Sequence, residues 1–182
     1  MDISKFGIND FDIQIQDYCS ERKINIPDSY KSFLKKYNGG LTINTKFEIN
    51  GIKSDIKAFY GLGDVKYSLN KVDIIEDDKT KYIPVACDSF GNMIVLSLLD
   101  DTIYFANHEK SNSVISLNCN LKEFINKCIS GGIKPESLKS VEEREADLIA
   151  RGRGGIITEQ LRDLWREEIE KYSSIELEHV DF

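Results

Sequence analysis

YKSFLKKYNGG, residues 30–40, constrains the fold more than any other stretch. Tyr30, Phe33, Leu34 and Tyr37 fall at i, i+3, i+4 and i+7, the spacing of a single apolar stripe along a helix. Pro27 precedes them, with Asp28 or Ser29 placed to act as the N-cap. Asn38-Gly39-Gly40 then supplies residues that accept a positive φ at little cost, so the helix must stop there and the chain must reverse. A stripe of three aromatic rings and a leucine needs a second layer to cover it, and the rest of the chain must provide one.

The following residues read as that layer. Leu41 to Asn50 and Ile56 to Tyr60 form short strands separated by Gly51. Tyr67 to Ile75 is an irregular or helical excursion. Tyr82–Cys87, Met93–Leu98, Thr102–Ala106 and Val114–Leu117 follow as four strands, with links short enough to make an antiparallel meander. Asn9 or Asp10 is expected to cap a helix ahead of this core, with Phe11, Ile15, Tyr18 and Cys19 on its buried side. Leu121, Phe124, Ile125, Cys128 and Ile129 mark a helix that closes it and ends at Gly131-Gly132.

Charge and composition change near Lys134-Pro135. Residues 135–182 carry 13 acids against 7 bases, whereas residues 1–134 carry 18 against 17. Five of the six arginines lie beyond that point. The division expected is therefore 1–134 and an acidic 135–182. The latter holds two helices, one over Glu136 to Ala150 and one capped near Thr158, joined by the glycine- and arginine-rich loop 151–155.

The sequence disfavours most catalytic chemistries. It contains two histidines, His108 and His179, and neither stands in a motif that would give a nucleophile its base. The four cysteines include no C-x-x-C pair, so reduced, buried thiols are expected rather than a metal site. No phosphate-cradling glycine motif and no calcium-loop spacing is present, so neither a cofactor nor a metal is expected. A net charge of −7 opposes direct nucleic-acid binding, which needs clustered bases. The chain has no apolar run long enough for a membrane span and no secretory signal, so the cytosol is the default location.

In the order of their motifs, Ile26-Pro27-Asp28-Ser29-Tyr30-Lys31-Ser32-Phe33-Leu34, Tyr37-Asn38-Gly39-Gly40, Tyr82-Ile83-Pro84-Val85-Ala86-Cys87-Asp88 and Gly91-Asn92, residues 9–130 resemble the SUKH superfamily. That resemblance implies an α+β fold with a bent, mostly antiparallel sheet flanked by helices, to which residues 135–182 add a C-terminal helical extension. Pro27, Tyr30, Phe33, Leu34, Asn38, Gly39, Gly40, Pro84, Gly91 and Asn92 would be its scaffold. The superfamily includes fungal regulators of cell-wall assembly and bacterial immunity proteins that neutralise a toxin encoded beside them. The expected function is accordingly non-catalytic binding of a basic toxin, with a regulatory scaffold as the alternative. Expected contact residues are the acids Glu76, Asp77, Asp78, Asp88, Asp100 and Asp101, and Trp165 on the last helix. Leu161, Trp165 and Ile169 are the stripe through which a homo-oligomer would form.

Overall fold

The aromatic stripe sets the architecture. In the computed structural model, which describes residues 1–7, 9–72, 81–109 and 114–181, Asp28–Tyr37 is a helix, α2, whose Tyr30, Phe33, Leu34 and Tyr37 are all buried. Phe33 packs with its ring centroid 5.3 Å from those of both Tyr37 and Phe59. The helix begins one residue earlier than a side-chain cap would require: Pro27 occupies the N-cap position and no side chain caps α2. Ser29 turns instead to a distant loop, described below.

Among the described residues there are nine strands: β1 Asp2–Lys5, β2 Gly40–Ile49, β3 Ile52–Phe59, β4 Tyr82–Cys87, β5 Met93–Ser97, β6 Ile103–Ala106, β7 Val114–Ser116, β8 Ile129–Ser130 and β9 Glu178–His179. They form one antiparallel sheet in the order β7-β6-β5-β4-β3-β2-β1-β9, with β8 also paired to β2. The expected meander is β4 to β7, each strand beside the next. β3 begins at Ile52 rather than Ile56 because Asn50 and Gly51 both take positive φ, at 51° and 79°, the turn that matches the twist of a two-residue hairpin. The remaining α-helices are α1 Phe11–Arg22, α3 Leu121–Lys127, α4 Val141–Ala150 and α5 Glu159–Ser173.

Two helix boundaries differ from the pattern in the sequence, and a third lacks its expected cap bond. Asp10 does precede α1, but at φ 57° its side chain makes no cap bond. α3 ends at Lys127, well before Gly131-Gly132, because Cys128 is extended and Ile129–Ser130 pairs with Lys46 and Thr45 of β2. Ser130 Oγ fixes this short strand with hydrogen bonds to Thr45 Oγ1 and from the Asp2 amide, each 2.8 Å long. The helix expected from Glu136 is a 3-10 turn over Pro135–Leu138 followed by α4, and Ser140 and Glu143 form a reciprocal capping box at the break.

The chain divides into two compact units, Met1–Ser130 with Leu177–Phe182, and Gly131–Glu176. Strand β9, which the sequence assigns to the extension, thus belongs to the first unit: it pairs with β1, Val180 is buried, and the Tyr37 hydroxyl donates to the Asp181 carbonyl at 3.0 Å. In the second unit Arg144 organises the two helices. Its guanidinium binds Glu168 at 2.7 Å, donates to the Lys139 carbonyl at 3.1 Å and lies 5.9 Å from the Trp165 ring centre. No residue of this unit is buried.

Two core tyrosines make opposite predictions. The buried Tyr30 hydroxyl donates to the Pro84 carbonyl at 3.1 Å and also lies 3.4 Å from the Tyr60 carbonyl, whereas the Tyr18 hydroxyl is buried with no partner among the described residues. Tyr30→Phe strands those carbonyls and is expected to cost about 1–2 kcal/mol, while Tyr18→Phe removes an unsatisfied group and leaves stability unchanged or slightly raised. Urea denaturation of the two variants side by side checks this. Equal losses would refute it.

Candidate functional site

The two described acidic loops lie at opposite ends of β5, so they do not form one patch. At one end is the β4–β5 loop, 88–92. Asp88 is 3% exposed, and its carboxylate accepts from four donors. The Ser54 hydroxyl (2.7 Å) and Asn92 Nδ2 (2.7 Å) reach Oδ2, and the amides of Phe90 (2.9 Å) and Asn92 (2.8 Å) reach Oδ1. A buried carboxylate satisfied in this way holds a loop in place. Asp88 is therefore not an exposed contact residue, a correction to its expected role, because donors from β3 and from its own loop surround it. Asn92 extends the network: its Oδ1 accepts from the His108 amide at 3.1 Å and contacts His108 Nδ1 at 2.9 Å. Gly91 takes φ 92° within the same turn.

At the other end of β5 is the turn Leu99-Asp100-Asp101. Asp101 takes φ 58° and its carboxylate accepts from the Ser29 hydroxyl at 2.8 Å, tying the turn to the start of α2. Hydrogen bonds from the Ser97 hydroxyl and then from the Thr102 amide hold the Asp100 carboxyl below the usual carboxylate range. Leu99 is 80% exposed beside them, and the Asp28 side chain, next to Ser29, is almost wholly in solvent. Asp28, Leu99, Asp100 and Asp101 thus make a preformed acidic corner with an apolar tip. A shallow groove lined by Ser29, Ser32, Lys36 and Lys122 adjoins it.

Of the other expected contact residues, Glu76, Asp77 and Asp78 lie outside the described residues. Trp165 is half-buried under Arg144, and Leu161 and Ile169 are half-buried on the same helix face, whereas Leu164 is 61% exposed. Phe90 and Ile129 are exposed apolar residues that pattern reading assigned to a turn and to a helix. The clue available for Phe90 was its place at the tip of a five-residue polar link.

Burial pushes the Cys87, Cys119 and Cys128 thiols up, the last to about 12, so at neutral pH they are protonated and weakly nucleophilic. His108 is oriented by an amide rather than by a carboxylate. His179 meets Asp2 at 2.9 Å on the exposed β1–β9 edge. Among the described residues no three His, Cys, Asp or Glu side chains are grouped to hold a metal ion, and no helix is long and apolar enough to cross a membrane.

Residues 12–125, well over half of the chain, match the family model SUKH_6, described as SMI1-KNR4 cell-wall. Comparison with curated proteins and with solved structures returned no match. The matched span begins in α1 and ends in α3, so it contains both ends of β5 and excludes Gly131–Glu176.

Proposed function

Because the chain belongs to the SUKH superfamily, whose members are generally non-catalytic immunity or regulatory proteins, we propose that it is a cytosolic immunity protein that binds and neutralises a cognate toxin domain. The observation that carries this reading is the acidic corner. Asp100 and Asp101 are held by Ser29, Ser97 and Thr102 within the protein itself, so the corner is built before a partner arrives. Inhibition by coverage needs a complementary surface and no reactive group. A nuclease toxin with a basic substrate cleft is the target that fits, since acids at the rim steer encounter and oppose the cleft's charge. The partner is a protein, with no direct contact to nucleic acid or membrane.

The adaptor alternative draws on a different observation. Gly131–Glu176 contains no buried residue and exposes Leu164, as suits a unit that mediates self-association through its helices. A homo-oligomer that persists without any toxin and is lost on Leu164→Glu would favour it.

The test is co-expression with the polypeptide encoded beside this chain, with growth and binding as readouts. Rescue is expected for the native protein. Asp28→Lys combined with Asp100→Lys should weaken binding at least roughly tenfold at low salt, less at high salt, while the melting temperature stays within a few degrees. Full rescue with unchanged affinity in the variant would remove the corner from the interface.

A further inference from the structure

Beyond Glu176 the chain returns to the sheet, and the residues from Glu178 to Asp181 are held unevenly. Glu178 and His179 form only the two pairs of β9, with Ile3 and Asp2. Their side chains meet Lys5 at 3.1 Å and Asp2 at 2.9 Å, in solvent-open contacts of a kind that contributes little. The firm attachment is farther on. Val180 is buried, and its amide donates to the Met1 carbonyl at 2.9 Å. At Asp181 one hydroxyl serves both backbone groups: Tyr37 Oη donates to the carbonyl at 3.0 Å and accepts from the amide at 2.9 Å. Lys36 Nζ donates to the same carbonyl at 2.8 Å. A two-residue strand is marginal by itself, so this segment stays on the sheet through Val180 and the clasp on Asp181.

The clasp fixes more than the end of a strand. Asp181 is exposed and lines the groove that adjoins the acidic corner, together with Asp28, Ser29, Ser32, Lys36 and Lys122. While the segment is seated, two acids and two bases line that groove. Without Asp181, Lys36 and Lys122 face Asp28 alone, and the groove turns positive beside a corner that is negative. A basic partner is then opposed at the edge of its own contact surface. We propose that the segment from Glu178 to Asp181 is a strap, clasped by the Tyr37 hydroxyl, whose seating sets the charge of this groove and so regulates the acidic corner's affinity for a basic partner. The inference rests on the basic-partner reading above and adds its regulation. Tyr37 thus has two roles, since its ring fills the core at 2% exposure while its hydroxyl holds the strap.

The clasp grips the backbone of Asp181, whereas the groove receives its charge, so two nearly isosteric changes separate them. Tyr37→Phe opens the clasp and keeps the charge on the chain; Asp181→Asn keeps the clasp and removes the charge. Amide exchange on the full chain, with no partner present, reads the strap at the Val180 amide, whose own acceptor neither change touches. Protection there is expected to fall to that of an unstructured segment in Tyr37→Phe, with β3 to β5 unchanged, and to stay native in Asp181→Asn. Native protection in Tyr37→Phe overturns the strap. Affinity for the polypeptide encoded beside this chain is expected to fall about threefold or more in both variants at low salt and to approach the native value at high salt. Native affinity in both, while Asp28→Lys with Asp100→Lys still weakens binding, refutes the strap and leaves the corner standing. Should the native protein not bind that polypeptide, the functional reading fails and a short oligo-lysine peptide becomes the probe. Its low-salt amide shifts at Ser29, Ser32 and Lys36 are expected to shrink in both variants, and equal shifts in all three proteins overturn the proposal.

Discussion

Gly39→Ala is expected to destabilise the protein by about 3 kcal/mol or more, lowering the melting temperature by roughly 10 °C. Gly39 has φ 71°, and a Cβ there would stand 2.5 Å from the Tyr60 carbonyl oxygen and 2.6 Å from that of Phe59. Both atoms are backbone, so no rotamer change relieves the clash. The same turn is fastened from the other side by Asn38. Its amide nitrogen donates to the carbonyls of Gly7 (2.8 Å) and Leu62 (3.1 Å), and its Oδ1 accepts from the Leu62 amide at 2.7 Å. Gly51→Ala is the control: φ is 79° there, but a Cβ would meet nothing within 4 Å, so only the conformational cost of about 1 kcal/mol remains. Thermal denaturation of both variants decides the matter. Equal shifts would show that close packing at Gly39 contributes nothing beyond backbone conformation.

Asp88→Ala should cost about 3–4 kcal/mol, because it leaves the Ser54 hydroxyl, two amides and the Asn92 side chain without their acceptor in a buried place. Asp88→Asn should cost less, about 2 kcal/mol. One oxygen still accepts from the loop amides, but the new NH₂ faces Asn92 Nδ2, donor against donor. Denaturant titration gives the stabilities, and amide exchange at Phe90 and Asn92 gives the local effect, with protection expected to fall in both variants. Unchanged exchange in Asp88→Ala would show that the loop is held by something other than this carboxylate.

Asp88 also shows where pattern reading stops. As a string, Asp88-Ser-Phe-Gly-Asn92 is a polar link between two strands, and an acid in such a link is ordinarily solvated. What buries it is Ser54, 34 residues earlier in the chain, a partner that no local window contains. The acids at 100 and 101 have the opposite outcome: Asp100 and Leu99 stay in solvent, and the corner remains available for binding. Two acidic turns of similar appearance thus acquire different roles from what the sheet places beside them. Trp165 follows the same logic, since its cover is Arg144 on another helix.

Local periodicity and turn chemistry were enough to determine α2, its stop at Asn38, the β4–β7 meander and, through the motifs on those elements, the superfamily. Each of these depends on contacts between near neighbours or on backbone preferences of single residues, which a linear reading contains. Tertiary structure alone decided that Ile129–Ser130 leaves the helical pattern for β2, and that Glu178–His179 returns to pair with Asp2 and Ile3. It also decided that Gly131–Glu176 is a separate unit inserted in the chain between β8 and β9. The reason is physical: two-residue strands have no periodicity to detect, and their backbone bonds are worth making only against an edge that a distant part of the chain has already built.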